Sequence, residues 1–174
     1  MISSDLSWQA HVDYIVKRAS KRFFVLCQLV RIGVSAHEII EVYCSLIRSI
    51  VEYASTVWHA GLTKAQSDAV ENVQKRSLKI VYSELCYRDA LQVAGLELLS
   101  TRRELACLKL FKQIKCTDHV LHDLILQKTA GLHATRDTYP YKLPVHKTLR
   151  ASRSFIAYCI RKNGNVKIID VQLF

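Results

Sequence analysis

The chain has 174 residues, which is enough for one domain with a buried core but too few for a polymerase together with its accessory domains. Half of the residues are hydrophobic, so wholesale disorder is excluded, and no apolar run reaches the roughly 18 residues that a membrane-spanning helix needs. Only two prolines and five glycines interrupt the chain, which favours long helices.

The positive charge of the chain is unevenly distributed. Twenty-five Lys and Arg residues against 15 Asp and Glu give a net charge of +10, and residues 128–174 hold nine of the basic residues but only two of the acidic ones. Because Lys and Arg release counterions when they neutralise phosphates, this distribution favours a polyanionic partner such as nucleic acid. A solubilising terminus, or a surface for an acidic protein, is the alternative.

The first predicted helix runs from about Trp8 to Arg31, with apolar residues recurring every three or four positions. Ser7 is its predicted N-cap and Gly33 its predicted stop. The opposite side carries four cations about one helical turn apart, which suits a helix that meets a counter-charge, although a solvated face explains them as well. These cations are Lys17, Arg18, Lys21 and Arg22.

Capping boxes open the second and third predicted helices. The box Ser35–Glu38 precedes a helix with a broad apolar side that continues to Gly61, and this helix is predicted to be central to the core. The box Thr63–Gln66 precedes a helix that ends near Tyr82. The exposed side of this third helix carries a second row of cations, Lys75, Arg76 and Lys79.

Three further helical segments are predicted in the first 127 residues. One covers Tyr87 to Ala94 and stops at Gly95, and a short one covers residues 118–126. Between them a helix begins near Ser100, with Thr101 and Glu104 as a capping pair. Its periodicity predicts that Leu105, Leu108, Phe111 and Ile114 are buried and that Arg102, Arg103, Lys109, Lys112 and Lys115 are exposed.

Beyond Lys128 the helical periodicity fails, and residues 135–153 are predicted to form an extended arm. A short docked helix is predicted at 154–160, and the apolar segment at 166–171 is a candidate strand. The tyrosines of the arm, Tyr139 and Tyr141, either stack on bases or pin the arm to the core. The cations predicted to follow a phosphate backbone are Arg136, Lys142, Lys147, Arg150 and Arg153.

No catalytic motif is evident in the sequence. There is no glycine-rich phosphate loop and no Gly-x-Ser-x-Gly nucleophile motif. Nowhere are two acidic residues adjacent, whereas two-metal polymerase chemistry needs clustered carboxylates. We therefore expect a protein that is not an enzyme and that carries no cofactor and no metal.

Two weaker patterns suggest metal ligands. His11 and Asp13 have the His-x-Asp spacing of a non-haem iron site, but both fall in one predicted helix without a third ligand. The six cysteines are widely spaced without a Cys-x-x-Cys pair, and four lie among core-type residues, so a reduced intracellular protein of the nucleus or cytoplasm is expected. A zinc site would have to use Cys107, Cys116, His119 and His122.

Two blocks of the sequence are distinctive: Glu52-Tyr-Ala54 followed by Val57-Trp58, and Glu71-Asn-Val-Gln-Lys-Arg76. Together with weaker matches in the same order, they resemble the region after the palm in the reverse transcriptases of jockey- and CR1-like non-LTR retrotransposons. The resemblance covers about residues 1–160. The weaker matches lie at residues 2–19, 23–33, 43–51, 62–63, 87–103 and 136–156.

The resemblance implies a thumb with a C-terminal extension, which grips the RNA template and the nascent DNA during target-primed reverse transcription. In that family the catalytic Tyr/Phe-x-Asp-Asp motif and the endonuclease lie upstream of this region. The resemblance therefore implies a piece of an RNA-directed DNA polymerase that lacks the polymerase active site.

The sequence as a whole predicts an all-α bundle of about five or six helices over residues 1–127 and a basic, largely irregular arm over residues 128–174. The predicted function is non-catalytic binding of RNA or an RNA–DNA hybrid through phosphate contacts, without sequence readout and without a membrane. The alternative is an orphaned remnant or protein-interaction module, which would self-associate through the surface that once faced the palm.

Overall fold

The computed structural model describes residues 7–116, 118–125, 141, 148 and 152–165, with side chains up to residue 162. Within these ranges the chain is predominantly helical and forms no strand, so the prediction of an all-α bundle is confirmed. A π-helical turn occupies Cys44–Arg48, and 3-10 turns occupy His59–Gly61 and His122–Leu124. The α-helices are α1 (Gln9–Ser20), α2 (Phe23–Arg31), α3 (Ala36–Tyr43), α4 (Ser49–Glu52), α5 (Ser55–Trp58), α6 (Lys64–Val81), α7 (Tyr87–Ala94), α8 (Leu99–Ile114) and α9 (Phe155–Asn165).

The first predicted helix is bent into α1 and α2, so the prediction of one continuous helix was wrong. At the bend the Arg22 N–H donates to the Ala19 carbonyl at 2.9 Å and the Val25 N–H to the Arg22 carbonyl at 3.0 Å, both three residues back rather than four. The bend lets both segments bury their apolar sides against α6. The predicted stop is confirmed, because Gly33 has a positive φ of 78°, a conformation that glycine adopts without steric cost.

The second predicted helix is also interrupted. Its capping box is confirmed, since the Glu38 N–H donates to Ser35 Oγ and the Ser35 N–H to Glu38 Oε2 at 3.2 Å. The continuous helical run ends at Tyr53, because the next residue, Ala54, adopts a left-handed φ of 49°. The Trp58 indole N–H donates to the Tyr53 carbonyl at 3.0 Å. The indole is 1% exposed, so the turn at Ala54 is accompanied by the burial of the Trp58 ring in the core.

Position 61, at the end of the 3-10 turn, needs a glycine because another side chain occupies the space beside it. A Cβ at Gly61 would lie 2.5 Å from Nε1 of Trp8, far inside van der Waals contact. The Trp8 ring thus packs directly on the backbone and joins the start of α1 to the start of α6. Any larger residue at position 61 would displace this ring.

Helices α6 and α7 match their predicted bounds closely. The Thr63–Gln66 capping box is confirmed, with the Thr63 N–H donating to Gln66 Oε1 at 2.9 Å. The end of α7 is confirmed as well, because Gly95 has a φ of 62°. On α6 the side chains of Val70, Val73 and Leu78 are buried.

A buried polar network joins α3, α6 and α7. Gln74, which is fully buried, accepts from the Tyr43 hydroxyl at 2.7 Å and donates to the Tyr87 hydroxyl at 3.1 Å and to the Glu97 carbonyl at 2.9 Å. Tyr87 in turn donates to Glu71 Oε1 at 2.5 Å. Burial raises the pKa of Tyr43 and Tyr87 well above the usual tyrosine range, so both hydroxyls remain protonated donors.

The start of α8 is capped by a residue of α6. The predicted capping pair Thr101 and Glu104 was wrong, because α8 already begins at Leu99 and no side chain of its own caps it. Instead the carboxylate of Glu71 accepts from the N–H groups of Leu99 at 3.3 Å and Ser100 at 3.2 Å. A negative charge at a helix N-terminus is favourable, so Glu71 stabilises α8 from outside.

The buried side of α8 is rotated from the predicted one. Arg103, predicted to be exposed, is 1% exposed, whereas Leu105, predicted to be buried, is 52% exposed. The buried stripe advances by four residues at a time from Leu99 through Arg103 and Cys107 to Phe111, and then by three residues to Ile114. Phe111 and Ile114 therefore confirm the prediction, and the rotation brings a guanidinium into the interior.

The C-terminal described segment packs on α8 as a helix. The predicted short helix at 154–160 is present but longer, as α9. Cys159, Ile160 and Phe111 share one buried cluster, and the Tyr141 ring meets the Phe111 ring edge-on with 6.1 Å between centroids. The helix predicted at 118–126 was wrong, since only turns and one 3-10 turn occur between residues 118 and 125.

Candidate nucleic-acid interface

The cations predicted on the first helix lie at the bend between α1 and α2. Lys17, Arg18 and Lys21 are exposed, and Arg22, the residue before α2, is half-buried. The opposite side of α1 buries Val12, Ile15 and Ala19, so the helix holds its cations away from the core. Sequence periodicity therefore identified the exposed side of α1 correctly, although the helix ends earlier than predicted.

The second row of cations lies on the outer side of α6 and reaches the bend. Lys75, Arg76 and Lys79 are all exposed. The Arg76 guanidinium lies over the Phe23 ring, 4.9 Å from its centroid, and Phe23 directly follows Arg22. A cation–π contact of this kind holds the planar guanidinium in place while leaving its N–H groups at the surface. The two predicted rows therefore meet at the start of α2.

A groove with a volume of about 390 Å³ lies between α6 and α7, beside the row of cations on α6. Lys75 contributes its ammonium over the Tyr87 ring, 5.4 Å from the centroid, and Lys79 donates to the Ser83 carbonyl. Tyr87 is itself held by the buried polar network. The groove is lined by Lys75, Arg76, Leu78, Lys79, Leu85, Cys86, Tyr87 and Ala90.

Three other Lys and Arg side chains in the described part of the chain form ion pairs with carboxylates. Arg102 binds Glu52 at 2.6 Å, Arg48 lies 3.8 Å from the same carboxylate, and Lys162 binds Glu104 at 2.7 Å. Across residues 7–116, 118–125 and 152–162, by contrast, no ion pair involves the cations of α1, the bend or α6. We call this set the basic surface: Lys17, Arg18, Lys21, Arg22, Lys75, Arg76 and Lys79.

Most of the cations predicted on the C-terminal arm lie outside the described residues. Arg153 is described and exposed. Tyr141 packs on Phe111, as expected for a residue that pins the arm to the core. The remaining predicted residues outside the described ranges are Arg136, Tyr139, Lys142, Lys147 and Arg150, together with the segment 166–171.

Two aromatic residues beside the basic surface were missed by the sequence analysis. Tyr14 is 54% exposed on α1 and Phe24 is 68% exposed at the start of α2. Tyr14 precedes Lys17, Arg18 and Lys21 by three, four and seven residues, which places all four on one side of a helix. That spacing was the available signal, but Phe24 follows an interruption of the helix that the periodicity did not reveal.

The residues of the suggested metal sites do not come together. His11 lies between Trp8 and Trp58, with ring centroids 5.7 and 5.6 Å away, and Asp13 accepts from Gln9 instead. In the suggested zinc set, Cys107 is buried on α8, and burial raises its thiol pKa to about 11. The described residues contain no group of three or more His, Cys, Asp or Glu side chains placed to hold a metal ion.

Several buried polar atoms cluster around Trp58 without a partner among the described residues. They are His11 Nε2, His59 Nδ1, and Nε and Nη1 of Arg103. The Arg103 guanidinium lies 5.6 Å from the Trp58 ring, and its Nη2 donates to Ser67 Oγ at 3.0 Å. Burial, together with the nearby Arg103 charge, lowers the pKa of His59 to about 4.

This depressed pKa predicts a loss of stability in mild acid. Because unfolded His59 binds a proton near pH 6.5 and the folded protein resists it until about pH 4, unfolding is favoured as the pH falls through that window. We expect His59→Gln to remove about 1–2 kcal/mol of the acid-induced loss, after discounting for the partial exposure of the ring. Urea unfolding of both proteins between pH 7 and pH 4 checks this, and identical pH profiles would contradict it.

Comparisons with protein-family models, with curated proteins and with solved structures give no match for this chain. None of the helices in the described ranges combines the length and the hydropathy that a membrane crossing needs.

Proposed function

We propose that the chain is a non-catalytic domain that binds nucleic acid through phosphate contacts, and that it derives from the region after the palm of a non-LTR retrotransposon reverse transcriptase. Its ligand is RNA or an RNA–DNA hybrid, bound without sequence readout. The resemblance of the two sequence blocks supports the origin. The basic surface supports the binding.

One observation carries this proposal: the seven cations of the basic surface lie on adjoining segments, with Arg76 of α6 over Phe23 at the start of α2, and none of them forms an ion pair with a carboxylate among the described residues. Like charges gathered without a counter-charge repel one another, so they favour an external anion. Phosphates would supply that charge, and each contact would release a counterion from the nucleic acid. The outer side of α6 and the bend at Arg22 would then form a single binding surface.

The test is fluorescence anisotropy of the purified protein with a labelled RNA–DNA primer–template over a series of salt concentrations. We expect binding that weakens steeply with salt. Neutralising the cations of the bend, as Lys17→Gln, Arg18→Gln, Lys21→Gln and Arg22→Gln together, is expected to lower the slope of log affinity against log salt by about 3 to 4, since each phosphate contact contributes about 0.7 to 0.9.

The matched control removes the same charge elsewhere. Lys64, Lys109, Lys112 and Lys115 are also exposed, and their fourfold replacement by Gln changes the net charge equally. We expect this control to retain the wild-type slope. An equal loss in both fourfold variants would show that net charge alone drives binding, and an absence of binding at low salt would refute the proposed function.

A second candidate function, self-association as an interaction module, is favoured by an exposed apolar patch. Tyr53 and Val57, both exposed, lie on either side of the turn at Ala54. Leu98 and Leu105 lie on either side of Arg102, which binds Glu52 next to Tyr53. Sedimentation of the wild type and of Tyr53→Ser with Val57→Ser tests this candidate. A monomer at all concentrations would exclude self-association, whereas a dimer lost in the variant would support it.

A further inference from the structure

The side of α1 that faces away from the core carries an aromatic ring among its cations. Tyr14 is 54% exposed although a tyrosine ring is a large apolar surface, and Phe24, at 68%, is more exposed still. We call the set Tyr14, Lys17, Arg18, Lys21 and Phe24 the aromatic–basic face. Its rings make no contact with another aromatic ring among the described residues.

Along the chain, the ring of Tyr14 is followed by the three cations of the face and then by the ring of Phe24. Residues three and four apart on a helix lie about 5–6 Å from each other at Cβ, so Tyr14 neighbours Lys17 and Arg18 directly. Phe24 follows Lys21 by three residues, across the bend whose backbone hydrogen bonds reach three residues back. Rings that can stack on bases, beside cations that can neutralise phosphates, are the two components of surfaces that bind unpaired strands.

We propose that the aromatic–basic face binds single-stranded nucleic acid, with Tyr14 and Phe24 stacking on unpaired bases and Lys17, Arg18 and Lys21 contacting the phosphates. This inference rests on the proposed function and narrows its ligand to strands with accessible bases. A blunt duplex keeps its bases stacked on one another, so it offers the face only phosphates. Arg76, held over Phe23, extends the track of cations toward α6.

An anionic lipid surface would also attract these cations. However, a helix that lies in a membrane interface needs a continuous apolar side to insert, and α1 already buries Val12, Ile15 and Ala19 within the protein. Only two separated rings remain for insertion on this face. The observations therefore favour an unpaired strand, and lipid vesicles become a control in the experiment.

The experiment compares three labelled ligands bound by the full chain: a thymidine strand of about 12 nucleotides, an abasic strand of the same length, and a blunt hairpin duplex. Vesicles of phosphatidylserine are the lipid control. The abasic strand retains every phosphate and loses only the bases. The variant is Tyr14→Leu with Phe24→Leu, which keeps apolar surface but removes the rings. Its control is Tyr53→Leu, since Tyr53 is 77% exposed and lies outside the face.

We expect the wild type and Tyr53→Leu to bind the thymidine strand about 100-fold more tightly than the abasic strand, since two stacked bases each contribute about 10-fold. The double variant should bind the thymidine and abasic strands equally, with unchanged affinity for the abasic strand and an unchanged salt slope. The affinity for the hairpin, like the affinity for the abasic strand, should be the same in the wild type, in Tyr53→Leu and in the double variant.

The possible failures are distinguishable. If the wild type binds thymidine and abasic strands equally, the face does not read bases and this inference is wrong, while the proposed phosphate binding stands. If neither strand nor duplex binds at low salt, the proposed function itself fails. If the double variant loses affinity only for vesicles of phosphatidylserine and not for the thymidine strand, the face contacts lipid and the single-strand assignment is overturned.

Discussion

Replacing Glu71 by alanine is expected to destabilise the protein by about 3–5 kcal/mol. The carboxylate accepts from the Tyr87 hydroxyl and from two N–H groups at the start of α8, and it is 8% exposed, so little water can replace it. Each donor left unsatisfied in the interior costs about 1–3 kcal/mol, and the lost helix cap adds about 1 kcal/mol. Urea denaturation followed by circular dichroism measures the difference.

The control for this prediction is Glu71→Gln. Glutamine has nearly the same shape and retains one acceptor oxygen, but it lacks the charge that favours a helix N-terminus. We expect it to cost about 1–2 kcal/mol, between wild type and alanine. If alanine and glutamine were equally harmful, shape and acceptor capacity would be irrelevant. If neither changed stability, the buried polar network would contribute nothing and this account of the α8 cap would be wrong.

Trp58→Ala is expected to have a comparable or larger effect, about 4–5 kcal/mol. The indole is 1% exposed, donates to the Tyr53 carbonyl at 3.0 Å and lies within 6 Å of both His11 and Arg103. Its removal would leave a large cavity, free the carbonyl that ends α4, and expose the Arg103 charge to a void. For a chain of this length the expected fall in Tm is about 8–20 °C.

Trp58→Phe separates packing from hydrogen bonding. Phenylalanine fills most of the same volume but cannot donate to the Tyr53 carbonyl, so we expect a loss of about 1–2 kcal/mol. Thermal unfolding of the two variants beside wild type gives the comparison. A Trp58→Ala protein that melts at the wild-type temperature would show that the indole is not the centre of this end of the core.

Local signals predicted the parts of the fold that depend on neighbouring residues. The boxes at Ser35 and Thr63 and the stops at Gly33 and Gly95 each satisfy backbone groups within one turn, so their sequence patterns were sufficient. The cap of α8 comes from Glu71, 28 residues before Leu99, and no local pattern contains it. A pairing over that distance is visible only once α6 and α8 are packed together.

Tertiary packing likewise explains the wrong predictions for helix continuity and for the orientation of α8. The bends at Arg22 and Ala54 let neighbouring segments bury their apolar sides. The conformational propensities of these two residues do not predict a bend at either position. Helix α8 has leucines on several sides, so its periodicity allowed two orientations. The structure buries the stripe that contains Arg103, although a charged residue normally indicates the exposed side.

The candidate interface was only partly predictable for related reasons. Helical spacing identified which sides of α1 and α6 are exposed, and their cations are where it placed them. Spacing within one helix cannot show that two rows converge, which depends on the contact of Arg76 with Phe23. The exposed rings of Tyr14 and Phe24 were missed because aromatic residues ordinarily belong to cores.

The two sides of α6 have different consequences for how this sequence can change over generations. Glu71 and Gln74 point inward, so their loss would destabilise the protein whatever the protein binds. Lys75 and Lys79 point outward, and their loss would leave the fold intact. A lineage that kept folding but no longer bound a polyanion would therefore retain Glu71 and Gln74 while its outer lysines drifted. An alignment of related sequences would therefore distinguish selection for folding, acting on Glu71 and Gln74, from selection for the proposed binding, acting on Lys75 and Lys79.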